Sequence, residues 1–341
     1  MRRFFLVSVA VISMLGAQAP SDGPYKVLKT VKAGGAGGFD YVYADADGRR
    51  LYVPRTGPTP RISVFDLDKL EAAGEIPNAN ARGAAVDPTS GHGFVSSKPV
   101  VMFDTKTLAV IKTIDVQGGP DGILFDSFND RVYVFSHSAP NATVINAKDG
   151  SVAGTIDLGG APEQAVTDGK GHIYVDIEDK DNIALVDAKT LAVTAHYDLT
   201  GKGGTCAGLA MDIKNQILFA GCRNPQVMVM LSAIDGKIID TLPIGRGVDG
   251  AVFNPATMEA FSSQGDGTLT IIKENSPTSF VVEQTVQTKT SAKTLTLDTK
   301  TNQILLIAAD FGPAPTPPPA GGRPGRGPMA PDSFSILVVG K

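Results

Sequence analysis

Along the chain, short apolar runs are broken by tight polar turns, and the spacing of these breaks repeats. The recurring phrase is an apolar strand, an Asp or Asn, a turn, and a second apolar strand that often reads Tyr-Val. It appears as VYADADGRRLYV, AAVDPTSGHGFV, ILFDSFNDRVYV, AVTDGKGHIYV, LAMDIKNQILFA, AVFNPATMEAFS and LTLDTKTNQILL. The turn-opening residues are Asp45, Asp87, Asp126, Asp168, Asp212, Asn254 and Asp298, spaced by 42, 39, 42, 44, 42 and 44 residues. Runs of this length, bounded by Gly, Asn and Asp, predict antiparallel hairpins.

Each unit continues with a third strand, a second turn and a fourth strand, as in VVMFDTKTLAVIKTIDV, ATVINAKDGSVAGTIDL and IALVDAKTLAVTAHYDL. Asp66, Asp104, Asn146 and Asp187 open the second turns, where a short acceptor bonds the backbone two residues on. These turn acids read as structural and are set aside from any active site. Seven four-stranded units of this length predict an all-β fold, a seven-bladed β-propeller. The last unit offers only three strands, near 294–297, 304–308 and 335–339. Its missing fourth resembles YKVLKTVKA at 25–33, which reads like AVIKTIDVQ at 109–117. The N-terminal strand is therefore expected to close the ring and remove an exposed edge. Residues 20–341 form one domain on this reading.

The phrase GGPDGILFDSFNDRVYVFSHS, at 118–138, resembles the YVTN-type repeats of exported YncE-like β-propeller proteins. The resemblance covers the whole chain after its leader and implies an extracytoplasmic propeller, similar in architecture to propeller lactonases. It assigns no ligand. Units five and six depart from the pattern, with Ser232 and Lys273 in place of the second turn acid. WD-repeat and quinoprotein dehydrogenase propellers are set aside, because the chain has no Trp.

Composition narrows the class further. A net charge of −4 lacks the basic excess that nucleic-acid binding needs. Arg2 and Arg3, an apolar run over 4–15 and the small residues Ala17 and Ala19 make residues 1–19 a signal peptide. Pro20 favours cleavage after Ala17; an uncleaved anchor is the alternative. No later segment has membrane-spanning length. The expected product is periplasmic or secreted and monomeric, in a compartment that permits disulfides.

The two cysteines, Cys206 and Cys222, lie eight residues either side of Lys214 in the fifth unit's first turn. They should face each other across the hairpin, at a separation a disulfide can bridge. Closing a loop of this length stabilises by about 3 kcal/mol at most. There is no Cys-x-x-Cys, and no further soft ligand for zinc beside them. The reading is a staple, with a free buried pair as its alternative.

The position five before each turn residue marks the start of the inner strand, at the mouth of the central channel. It reads Asp40, Arg82, Asp121, Glu163, Ala207, Asp249 and Lys293. Four carboxylates and two cations exceed what a packed core tolerates. The second-to-third-strand loops add Arg55, Lys98, His137, Glu178, Asp179, Arg223, Asn224, Gln264 and Asp266. His137 reads either as a general base or as an exposed loop histidine. DIEDKDN, at 176–182, lacks the glycine and last glutamate of a calcium loop and reads as a solvated loop. The Pro/Gly-rich insertion at 311–333, with Arg323 and Arg326, should emerge on the same face as a lid, a docking arm or a passive loop.

Two functions follow as expectations. One is a binding module whose ligand-binding residues are Asp40, Arg82, Asp121, Glu163, Asp249, Lys293 and His137, for a small polar ligand or a protein partner. The other is a lactonase-type hydrolase in which Asp40, Asp121, Glu163 and Asp249 hold Ca2+ or Mg2+. That ion would polarise the ester carbonyl and activate water. A hydrated channel of paired charges is the bland third possibility.

Overall fold

The computed structural model describes residues 20–313 and 327–341. The signal-peptide expectation and Arg323 and Arg326 lie outside these residues. Strand β1 is Lys26–Lys32; blade 1 holds β2 (Tyr43–Asp45), β3 (Arg50–Arg55), β4 (Arg61–Asp66) and β5 (Ala72–Pro77). Blade 2 holds β6 (Ala84–Asp87), β7 (His92–Val95), β8 (Val100–Asp104) and β9 (Val110–Ile114). In blade 3 come β10 (Pro120–Asp126), β11 (Arg131–Ser136), β12 (Asn141–Asn146) and β13 (Val152–Asp157). Blade 4 has β14 (Pro162–Thr167), β15 (His172–Ile177), β16 (Asn182–Asp187) and β17 (Ala192–Asp198). Blade 5 has β18 (Cys206–Asp212), β19 (Ile217–Arg223), β20 (Gln226–Ser232) and β21 (Ile238–Pro243). Blade 6 has β22 (Val248–Asn254), β23 (Glu259–Gln264), β24 (Thr268–Ser276) and β25 (Ser279–Gln287). Blade 7 has β26 (Leu295–Asp298), β27 (Gln303–Ala308) and β28 (Ser335–Gly340).

Every sheet is an antiparallel meander, and the seventh has the order β1-β28-β27-β26. The N-terminal strand thus supplies the outer edge of the last blade, as the repeat count predicts. Val31 pairs with Ile336 and Thr30 with Leu337. The closure is reinforced where the two ends of the chain meet blade 6. The Tyr25 hydroxyl donates to Glu259, and Lys341 Nζ lies 2.9 Å from the other oxygen of that fully buried carboxylate.

A four-stranded blade cannot bury both faces by itself, so the apolar surface is shared with its neighbours. Seven apolar clusters sit between successive blades, including one between blades 1 and 7 that completes the ring. The Tyr-Val phrase of the second strands fills them: Tyr52, Tyr133 and Tyr174 are buried, each followed by a buried valine. Towards the axis the inner strands approach backbone to backbone. A Cβ on Gly208 would lie 2.8 Å from the carbonyl carbon of Gly250, so this contact of blades 5 and 6 requires glycine.

Cys206 and Cys222 form a disulfide. The straight ladder from Asp212↔Ile217 would set Ala207 opposite Cys222, but a bulge between Cys206 and Gly208 makes Cys206↔Cys222 the pair. The symmetric count around Lys214 reaches the right pairing because the bulge absorbs one residue.

Candidate ligand site at the channel mouth

Bulges also build the mouth. The inner strands of blades 3, 4, 5 and 6 change register between Pro120 and Ile123, Pro162 and Ala165, Cys206 and Gly208, and Val248 and Gly250. Asp121, Glu163, Ala207 and Asp249 lie inside these irregularities. A bulge leaves a residue outside the ladder and re-aims its side chain. Asp40, Arg82 and Lys293 precede the first residues of β2, β6 and β26. The second strands run back to this face, so their ends deliver His137, Glu178 and Arg223 from blades 3, 4 and 5.

These groups form a connected circuit. Arg82 Nη1 donates to Asp40 Oδ2 at 2.9 Å, and Lys293 Nζ lies 3.5 Å from Asp40 Oδ1. Lys293 also pairs with Asp249, whose other oxygen accepts from Arg223. Arg223 Nη1 reaches Glu178 Oε1 at 2.5 Å, and Glu178 Oε2 is 3.2 Å from His137 Nε2. His137 Nε2 is 3.6 Å from Glu163 Oε1, while Glu163 Oε2 accepts from the Tyr41 hydroxyl at 2.9 Å. Tyr41 follows Asp40, which returns the circuit to its start.

The mouth is partly desolvated. The Asp40, Glu163, Glu178 and Asp249 side chains keep only 12–14% of their exposure, against 54% for Arg82 and 44% for His137. Burial, followed by the charges of Glu178 and Asp121, pushes the Glu163 carboxyl up to about 7. Burial and the Asp40 charge also raise Asp121, and its Oδ1 has no hydrogen-bond partner among the described residues. Beneath Glu178, Asp176 is fully buried with both carboxyl oxygens unpartnered, and burial raises it well above the carboxylate range. Five carboxylates (Asp40, Asp121, Glu163, Glu178, Asp249) face three permanent cations (Arg82, Arg223, Lys293). When all five ionise, the mouth carries an excess of two negative charges.

Arg82, Asp121, His137, Glu163, Glu178 and Arg223 line a cavity of about 500 Å3. Below it, Tyr41 and Gln164 narrow the channel. Gln164 Nε2 donates to Ala251 O, while its Oε1 accepts from the amides of Leu209 and Ala251. The deeper channel, about 270 Å3, has a mixed wall, with Ile123, Leu124, Val252 and Leu295 beside Tyr41, Tyr43, Gln164 and Thr296.

All seven predicted ligand residues therefore lie on one face, and six of them stand in the circuit, with Asp121 lining the cavity. Among the described residues, one group offers three metal-ligating atoms within 4.8 Å of one another: His137, Glu163 and Glu178. Of the four predicted metal carboxylates, Glu163 alone is in that group. Two readings of individual segments change. The stretch 176–182 is not a solvated loop, because Asp176 is buried and Glu178 joins the circuit. Arg55 does not face the cavity: the residue is 1% exposed, and its guanidinium stacks 3.9 Å from the Phe334 ring centroid and bonds the carbonyls of Gly34, Gly35 and Ala36. It anchors the segment that enters blade 1. Glu178 and Arg223 were expected on this face but not among the ligand residues, and Tyr41 and Asp176 were not singled out for it. The signal for Glu178 and Arg223 is the position ten or eleven after the first six turn residues, which reads Arg55, Lys98, His137, Glu178, Arg223 and Gln264.

No family model and no curated protein matches this chain. Solved structures do. One is a chain of a structure titled "Crystal Structure of Mitotic Checkpoint Complex", with a TM-score of 0.71, 10% identity and coverage of 98% of both chains. At that identity the likeness is one of fold alone. It agrees with the seven-sheet ring, and the chain is a seven-bladed β-propeller.

Proposed function

We propose that this chain is an exported, monomeric propeller of YVTN/YncE-like type that binds a small polar ligand at its channel mouth. The observation that carries the reading is the mouth circuit, in which groups from all seven blades join beside one cavity instead of each serving its own turn. Arg82 and Asp121 supply opposite charges on the cavity wall. The disulfide supports an oxidising compartment. Among the described residues, no helix is long and apolar enough to cross a membrane.

Two other readings have some support. The solved neighbour comes from a multiprotein complex, which favours a protein partner. The His137–Glu163–Glu178 group favours metal-assisted hydrolysis. A thermal-shift panel of amino acids, polyamines, polyols and sugar acids separates the first two. A ligand should raise Tm by about 2–5 °C through mass action, and the shift should vanish in the Arg82→Gln/Asp121→Asn double variant. A shift that survives in the variant, or a panel without a hit, rejects this site for small polar ligands and moves the reading to a protein partner.

A further inference from the structure

We propose that His137, Glu163 and Glu178 are the three protein ligands of a transition-metal dication of the zinc class, with the remaining coordination position open to the mouth cavity. This goes beyond polar-ligand binding and differs from a Ca2+ or Mg2+ site in both its residues and its metal.

The ligand atoms come from different blades, and each is aimed inward by a second contact. Glu163 gives its Oε2 to the Tyr41 hydroxyl and turns Oε1 towards His137. Glu178 gives its Oε1 to Arg223 and turns Oε2 towards the same imidazole nitrogen. An outer donor on one oxygen and a free inner oxygen is how supporting groups orient metal-binding carboxylates. Ligands about 2.0–2.1 Å from a tetrahedral ion lie about 3.3 Å from one another. The His137 nitrogen stands 3.2 Å from one carboxylate oxygen and 3.6 Å from the other, and all three ligand atoms lie within 4.8 Å of one another.

A second observation, from outside the group, also calls for a cation. Asp176, in β15 two residues before Glu178, is fully buried with both oxygens unpartnered and lies within the electrostatic reach of Glu163, Arg223 and Glu178. With all five mouth carboxylates ionised, as a bound cation favours, the excess of two negative charges is the charge a dication neutralises. Imidazole with two carboxylates suits a borderline ion, whereas Ca2+ takes six to eight oxygens. Asp40 and Asp249, which could have added oxygens, are engaged with Arg82, Lys293 and Arg223. The cavity beside the group leaves room for water or substrate, the arrangement of sites with three protein ligands.

The test is calorimetric titration of EDTA-stripped protein with Zn2+, Ca2+ and Mg2+, with the Co2+ visible absorption band as a second readout. The expected result is one equivalent of Zn2+, bound at least a hundredfold more tightly than Ca2+ or Mg2+. His137→Ala should abolish both the binding and the Co2+ band. That side chain is 44% exposed, so the variant keeps the fold, which circular dichroism verifies. Tyr41→Phe should weaken Zn2+ about 10–100-fold, as loss of an outer-shell partner does. His172→Ala, which removes the separate Asp168–His172 pair, should change nothing. No stoichiometric Zn2+ binding, binding that survives His137→Ala, or binding lost in His172→Ala would each overturn the assignment. So would equal affinity for Ca2+.

Discussion

On the face opposite the mouth, acids chiefly serve their own turns, with Asp126 and Asp298 also reached from a neighbouring blade; on the mouth face, acids of the same types chiefly serve residues from other blades. Asp87 accepts from the Thr89 amide, Asp168 from Lys170 and Asp212 from Lys214, each two residues on. Asp40, Glu163 and Asp249 instead meet partners 42, 122 and 44 positions away in Arg82, Tyr41 and Lys293. The first arrangement needs only a hairpin. The second exists only when seven blades have closed into a ring, so the two faces should respond differently to the same kinds of damage.

Removing the ring closure should have the largest effect. Deleting residues 25–32 strips β1 from β28, leaves a hydrogen-bonding edge on blade 7 and removes the Tyr25–Glu259–Lys341 contacts. The expected outcome is loss of soluble folded protein, read by expression yield and by the absence of a cooperative melt. A deletion variant that melts with the parent's Tm would mean that the mouth does not depend on closure.

A smaller effect should come from the turn face. Asp87 is 2% exposed and its Oδ1 holds the Thr89 amide at 2.8 Å. Asp87→Ala should cost about 2 kcal/mol, the scale of a lost charge-assisted hydrogen bond with a stranded donor. It should leave Zn2+ affinity unchanged, because the contact is local. Urea denaturation and the Zn2+ titration together check both halves, and altered metal affinity would show that the faces are coupled.

The same division explains what was legible in the sequence. Blade number, hairpin positions and closure by β1 follow from spacing, because turns and alternation are local. The cysteine pairing follows too, although through a bulge that the count did not contain. That Asp40, Asp121, Glu163 and Asp249 share one face was also readable, as the repeat carries each of them to the same end. Their partners were not. Whether Glu163 meets His137 or Lys293 depends on the bulge between Pro162 and Ala165 and on the tilt of three blades. A position-by-position reading contains neither. Arg55 makes the same point in reverse: it holds the mouth position in the repeat, but the glycine carbonyls beside it turn its guanidinium away from the cavity.

The smallest effect, and the one that most sharply separates the faces, is the response of Glu163 to pH. A turn acid is stabilised by its amide donors, so ionisation helps it. Glu163 is held up, from an ordinary 4.5 to about 7, by burial and by the neighbouring Glu178 and Asp121 charges. Between those two values the folded protein binds more protons than the unfolded chain, so stability falls as pH rises through the window. Glu163→Gln cannot ionise. In EDTA it should therefore be more stable than the parent at pH 8 and indistinguishable from it at pH 4, where both side chains are neutral. The gain should be about 1 kcal/mol, because Glu163 titrates together with a neighbouring group that takes up part of the shift. Denaturant titrations at the two pH values measure it. If Glu163→Gln is instead the less stable protein at pH 8, then Tyr41 and His137 hold the carboxylate in its charged form, and the mouth acid behaves like a turn acid after all.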